Sequence, residues 1–453
     1  MRNRAFKTIV LGCSVILFSF ISVEGATDAP ERISVMQKEM NRNFEALKKE
    51  PVPPYFIGYS IDDVRTQSVT GSFGSLWDRS DNTVSHLRVE VRTGDYILDS
   101  AHEIRGDTLA ALQGQLARSI SAPIVESPEA LRIILWRETD KAYKNAVESL
   151  AKVQSQQSVM VAEEDKSDDF SRIDPQVVFE EPVGNIVDLD KWEIRVKAYT
   201  KGFKKYPFLH KTTATFSNEI RRKYYVNTEG TSIAASTVYM RLTISAVSKT
   251  DDGMEMPFYF SYFGFNESDF PSEEQIMADV ETLINNLRKL NNAPLIEPYS
   301  GPAILTGRAS GVFFHEILGH RLEGHRQKSV TEGQTFKKQV GSQILPEFIS
   351  VIFDPTIKEL HGFKLSGYYS FDDEGTKAQK VISIENGILK NFLMSRSPIQ
   401  DFPVSNGHGR SQPGLKPVSR QSNLIVESRN ILSEEGLRNA LIEECKKQGK
   451  EFG

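Results

Sequence analysis

The chain reads as an α+β protein of two domains, and three observations predict it. Helical spacing of apolar residues and strand-like alternation both recur along its length. A proline-spaced segment, Pro294, Pro298 and Pro302, divides it near residue 295. Its 453 residues, 39% hydrophobic and 25% charged, suffice for two cores. The expected layout is a leader over 1–25, a mixed α/β domain over 30–294 and a sheet-rich domain over 295–453.

Taken in order, Arg2, Arg4 and Lys7 precede an apolar run from Ile9 to Val23. Val23 and Gly25 supply small residues where a signal peptidase reads them, so 1–25 reads as a secretory signal peptide, with an uncleaved anchor as the alternative. A lipoprotein reading through Cys13 has too little apolar segment before the cysteine. Cleavage leaves Cys445 alone and forbids an intrachain disulfide. No second run approaches spanning length, so a periplasmic or secreted protein without a membrane span is expected. The net charge of −5 offers no basic surface for nucleic acid.

Ile33, Met36, Met40, Phe44 and Leu47 predict a first helix that Pro51, Pro53 and Pro54 stop. Strands are expected at 55–61, 68–77 and 84–100, with a possible hairpin turn at Gly94-Asp95. Ser127-Pro128-Glu129 predicts the cap of a long helix to about Met160. The acidic stretch 162–171 reads as a mobile, solvated loop. Strands are then expected at 192–200, 212–220, 222–227 and 232–247, and a helix over 273–290. In the second domain a short strand at 303–306 precedes a helix. A strand at 349–354 follows, and Val381–Glu385, Asn386-Gly387 and Ile388–Met394 form a hairpin.

Chemistry concentrates in that second-domain helix. His315 and His320 flank Glu316, which is the residue set of a hydrolytic metal site: two imidazoles to hold a zinc-type ion and a carboxylate to handle a water proton. The spacing is H-E-x-x-x-H, one residue longer than the zincin pattern. At about 100° per residue the longer step leaves the imidazoles roughly 140° apart, too divergent to share an ion. Under-winding toward i→i+5 hydrogen bonding reunites them, and Gly319 makes it cheaper. The helix is therefore expected from near Ser310, distorted at Leu318–Gly319 and ended near Gly324. The alternative is a regular helix whose histidines face solvent and core.

The motifs resemble the TldD/PmbA metallopeptidase family. H-E-x-x-x-H continues as Gly319-His320-Arg321-Leu322-Glu323-Gly324. An Asp-Asp-Glu-Gly turn follows at 372–375, and Ile384-Glu385-Asn386-Gly387-Ile388-Leu389-Lys390 matches the family hairpin. Asn406–Arg410 and Arg420–Asn423 are also similar, so the resemblance spans about 295–425, with Tyr225–Gly230 as a fainter echo. It implies zinc held by His315 and His320, Glu316 as general base, and hydrolysis of extended or unfolded peptides. It also implies a homodimer or a heterodimer with a related subunit. The family's third zinc ligand is a late cysteine, expected beyond residue 453. Cys445 reads instead as an apolar-face residue of a helix over 434–447. That departure keeps a second function open, a non-catalytic partner subunit or peptide-binding protein.

Other residues admit two readings. His325 could extend the ligand set, and Glu323 could orient an imidazole or sit at a solvated helix end. Asp372, Asp373 and Glu374 read as a turn, with a hard-cation site as the alternative. His408 could contact substrate. His86, His102, His210 and His361 read as structural.

Overall fold

A computed structural model describes residues 29–103, 120–122, 127–157, 165–184, 187–329 and 333–453. Residues 1–25, expected as a leader, and residues 158–164, with the expected helix end near Met160 and the start of the acidic stretch, lie outside them.

The first helix, α1 (Glu31–Leu47), ends before the prolines. Strands β1 (Pro54–Ser72) and β2 (Ser75–Thr93) follow as one long hairpin. Its turn is Phe73-Gly74, both at positive φ; the chain reverses again at Gly94-Asp95, where Gly94 bridges antiparallel to Asp99 and the Ser100 N–H donates to the Thr93 carbonyl at 3.0 Å. Polar residues that seem to interrupt the strands pair across them instead: Arg65 holds Asp81 at 2.7 and 2.8 Å. After β3 (Ile120–Ala122), α2 (Pro128–Gln157) starts where Ser127 caps it, and β4 (Val177–Phe179) follows.

Residues 192–200 correct the strand expectation. They lie in α3 (Leu189–Lys201), started by Asp188, whose carboxylate accepts from the Asp190 and Lys191 N–H groups. Leu189, Trp192, Val196 and Tyr199 are buried at helical spacing, while Ile194, which suggested alternation, is 71% exposed. Then come β5 (Leu209–Asn227), β6 (Ser232–Lys249), the unforeseen β7 (Glu255–Gly264) and α4 (Glu273–Asn291). The sheet runs β3-β2-β1-β5-β6-β4, with β7 also on β6; pairings are antiparallel except β4 with β6.

Tyr59 and Val69 of β1, and Phe216 and Val226 of β5, are separated by even steps, so they share one face of the sheet. The described α-helices of this part pack there: α1 and α2 at one end, α3 and α4 at the other. Trp192 stacks on Phe216 with ring centroids 3.7 Å apart. The opposite face carries Asp62, Arg88, Glu90, Arg92, Arg221 and Lys223. The C-terminal part of the chain buries it.

That part has a sheet of β12 (Ile388–Leu389), β11 (Val381–Glu385), β8 (Ile349–Phe353) and the unforeseen β15 (Leu424–Ser428), in that order. Asn386 and Gly387, both at positive φ, make the hairpin turn as expected. A two-stranded ribbon pairs β13 (Gly409–Arg410) with β14 (Val418–Ser419), and two further short strands, β9 (Glu359–Leu360) and β10 (Phe363–Lys364), pair with each other. Residues 303–306 form no strand. All four are exposed and pair with no strand among the described residues.

The seam between the two parts is charged. Asp373 forms ion pairs with Lys223 and with Arg410, the latter at 3.3 Å, and its backbone carbonyl accepts from Arg88 at 3.0 Å. Arg396, fully buried, donates to the Ser171 carbonyl at 2.6 and 2.9 Å and to Glu229 at 2.8 Å. Its guanidinium lies 3.9 Å from the Phe170 ring centroid. The described end of the acidic stretch is therefore no mobile loop: Asp165, Asp169, Phe170 and Ser171 are buried. Composition suggested solvation because the partners, Arg396 and Lys328, lie far away in sequence.

The Asp372–Gly375 turn carries two carboxyls close together. Burial, joined by repulsion from Asp372, pushes Glu374 from 4.5 up to about 7. The folded chain then holds a proton that the unfolded chain releases, so this stabilisation is complete below about pH 4.5 and is lost as pH rises through about 7. The unfolding free energy should therefore fall over that window as Glu374 ionises. Glu374→Gln, which cannot ionise, should flatten this segment of the profile in urea titrations. A segment equally steep in the variant would assign the effect elsewhere.

Candidate metal centre

The helix that carries the motif, α5 (Gly307–Phe314), has no buried residue of its own. Its continuation changes winding. Residues His315–Gly319 form a π-turn in which the His320 N–H donates to the His315 carbonyl, and His320–Leu322 tighten into a 3₁₀ turn. The five-residue step is thereby closed, as the spacing predicts. The His315 and His320 rings lie 4.5 Å apart, inclined at 72°. The Glu316 carboxylate stands 3.7 Å from His315 Nε2.

Two glycines permit this path. Gly319 is buried, and a Cβ there would overlap the Gln421 side-chain amide. Gly324 faces the Leu393 carbonyl and the Met394 sulfur, again where a Cβ would collide. Around it the chain is fastened to the C-terminal core: Leu393 N–H donates to the Leu322 carbonyl at 2.9 Å, and Gly324 N–H to the Leu393 carbonyl at 2.8 Å. Leu318 and Leu322 are buried in that core with Phe353 and Leu389. The apolar side of the turn is thus anchored while its polar side stays open. The side chains of His315, Glu316 and His320 are 46%, 62% and 26% exposed.

Among the described residues, these three form the set of ligating side chains close enough for one ion, with their ligand atoms within 4.8 Å of one another. Zinc with bonds of about 2.1 Å needs its ligand atoms about 3.4 Å apart in tetrahedral geometry. Small rotations of the exposed His315 and Glu316 side chains cover the difference. The two imidazole nitrogens suit such an ion, with the Glu316 carboxylate beside them.

Other sequence candidates fall elsewhere. His325 lies outside the cluster, in α6 (Gly324–Lys328); burial, with Arg326 and Arg420 nearby, pushes it down to about 3. His408 is fully buried and contacts chain, not substrate space: its ring nitrogens lie 3.1 Å from the Asn406 carbonyl and the Ser422 hydroxyl, and burial pushes it down to about 4. Asp372 and Asp373 accept backbone N–H bonds from Gly409 and Ser411, which explains them as a structural turn. Cys445 is buried in α7 (Glu434–Lys447), outside the cluster. Glu323 is fully buried, so it is not a solvated helix end; its Oε1 lies 3.1 Å from His320 Nδ1.

The segment 420–423 stood out by resemblance, but its roles did not: among the described residues the two buried Gln421 amide atoms have no hydrogen-bond partner where they press on the π-turn, and Arg420 reaches Glu323 from 97 residues away at 3.5 Å. The Glu323–Arg326 pair, at i,i+3 spacing, was visible in principle.

Residues 298–448 match the family described as PmbA/TldA metallopeptidase C-terminal domain. The chain is 33% identical over 167 residues to a metalloprotease of Archaeoglobus fulgidus, covering 36% of each. It is 26% identical over 247 residues to the zinc metalloprotease TldD homolog of Saccharolobus solfataricus, covering 51% of this chain and 52% of that one. The matched stretches thus span about a third to a half of these curated relatives. The fold is similar to that of TldE from Thermococcus kodakarensis, with a TM-score of 0.54 at 14% identity over 89% of this chain and 79% of that one.

Overpacking at Gly319 gives a direct test of the local geometry. Gly319→Ala should destabilise by about 1–3 kcal/mol. Combined with Gln421→Ala, which vacates the overlapping space, it should recover part of that loss. A coupling energy of at least about 0.5 kcal/mol is expected in a double-mutant cycle measured by denaturation. Strict additivity would show that the two residues do not press on each other.

Proposed function

The chain belongs to the TldD/PmbA family, and on that premise we propose that it is a zinc-dependent peptidase acting on extended or unfolded peptides, with His315 and His320 holding the metal and Glu316 as general base. The observation that carries this reading is the π-turn. It spends backbone regularity to place two imidazoles side by side with a carboxylate next to them, an arrangement that serves no packing purpose on an exposed surface.

When bound, zinc supplies electrophilic polarisation of the scissile carbonyl and acidifies water at the site. The chain's own residues do the rest. His315 and His320 present ring nitrogens from one anchored turn. Glu316 is mobile enough at the surface to take a proton from the attacking water and pass it to the leaving amine. The open setting suits a peptide held in extended form by backbone hydrogen bonds. We extend the reading to an exported protein that pairs with a second copy or a related subunit.

One observation favours a second reading. Among the described residues, two imidazoles and one carboxylate come together, fewer than the four positions zinc fills. A partner subunit that binds peptide without cutting it would need no more.

Elemental analysis beside peptide cleavage separates the two. Wild type and Glu316→Gln should each carry about one zinc per chain, and His320→Ala should lose it. Cleavage of an unstructured peptide should drop about 10²–10⁴-fold in Glu316→Gln. Wild type without stoichiometric metal, or Glu316→Gln cleaving at the wild-type rate, would sink the peptidase reading.

A further inference from the structure

We infer that Glu323 is the positioning residue of the metal centre: clamped by Arg326 and Arg420, its carboxylate fixes the His320 tautomer so that Nε2 is the nitrogen presented to the metal. The inference rests on the metal-site reading above and adds to it which nitrogen binds and what sets that choice.

The geometry is specific. Glu323 is fully buried three residues after His320, directly where the turn joins the C-terminal core. Its two oxygens have different partners. Oε1 lies 3.1 Å from His320 Nδ1. Oε2 accepts from Arg326 Nε at 2.8 Å and from Arg420 at 3.5 Å. Arginine can only donate, so both guanidiniums require an acceptor, and they hold the carboxylate in one orientation. The remaining oxygen is also an acceptor and faces Nδ1. A neutral imidazole in that position must carry its proton on Nδ1 and donate it, which leaves the Nε2 lone pair for a metal.

The arrangement could instead be a buried ion pair that serves stability alone. The two roles predict different outcomes for one isosteric change. In Glu323→Gln one oxygen becomes an NH₂ group that cannot accept. The arginines keep the amide oxygen, so the NH₂ group turns toward His320. Nδ1 must then accept, the proton moves to Nε2, and the metal-facing lone pair is lost. A purely structural Glu323 would tolerate the amide, which has the same shape and still accepts from Arg326.

The test uses the full-length, metal-free protein labelled with ¹⁵N-histidine, at about pH 8.5 so that imidazoles are neutral, with His320→Ala to identify the resonances. Zinc affinity is measured in parallel by competition with a chromophoric chelator. Wild type should show Nδ1–H at His320. Glu323→Gln should show Nε2–H and a zinc affinity about 10–100-fold lower, with an unchanged circular dichroism spectrum. The inference is overturned by Nε2–H in wild type, a measurement that needs no variant to fold. It is equally overturned if the tautomer and zinc affinity of Glu323→Gln match wild type. Nδ1–H in a wild type that takes up no zinc would defeat the metal reading while upholding the orientation of His320.

Discussion

Asp373 is the point on which the two halves of the molecule turn. Its carboxylate is almost wholly removed from water, which is tolerable only because Lys223, Arg410 and the Ser411 N–H close around it. Burial, with Arg221, Arg410 and Arg88 nearby, drives the Lys223 ammonium well below its ordinary value; Asp62 opposes that shift, and Asp373 contacts the amine directly. One face of the large sheet is thus given to helices and apolar packing, and the other to a charge-matched seam. Gly375 completes it, approaching Tyr225 and Thr231 more closely than any side chain would allow.

The seam bears on the candidate metal centre through a short ribbon. Arg410, which pairs with Asp373, lies on β13. Its partner strand β14 leads directly into Arg420 and Gln421, which touch Glu323 and Gly319. The buried His408 fastens the start of the ribbon to Ser422 just beyond it. A displacement of the seam would therefore be felt at Glu323 and at the π-turn within a few residues. The two histidines owe their placement to these buried groups, since α5 has no fully buried residue and only Phe314 at its end packs partly against the core.

The centre itself divides into a rigid and a compliant half. His320 is held on one side by Glu323 and on the other by the core contacts of Leu318 and Leu322. His315 and Glu316 remain exposed and can rotate toward an ion or a substrate. A site of this kind fixes one ligand strongly and lets the others close on what binds, at the cost of lower order before binding.

Much of this was legible in the residues alone. The H-E-x-x-x-H spacing demanded an under-wound turn, because a regular helix cannot bring residues five apart together, and Gly319 marked where it would occur. Asn386-Gly387 named its hairpin through the positive φ that turn requires, and Ser127 stood where its helix begins. These features are local: they depend on bond geometry and on neighbours within one or two turns. What the tertiary structure alone decided is long-range. Strand β1 absorbs charged residues because Asp81 and Arg221 lie opposite them, and the acidic stretch is buried because Arg396 meets it from 225 residues away. Helix α3 overrides an alternating pattern because Leu189, Trp192, Val196 and Tyr199, at helical spacing, are buried against the apolar face of the sheet. Charge pairing between distant segments leaves no periodicity in the chain, so the seam, the Glu323 clamp and Gln421 became visible only once the fold had brought their partners together.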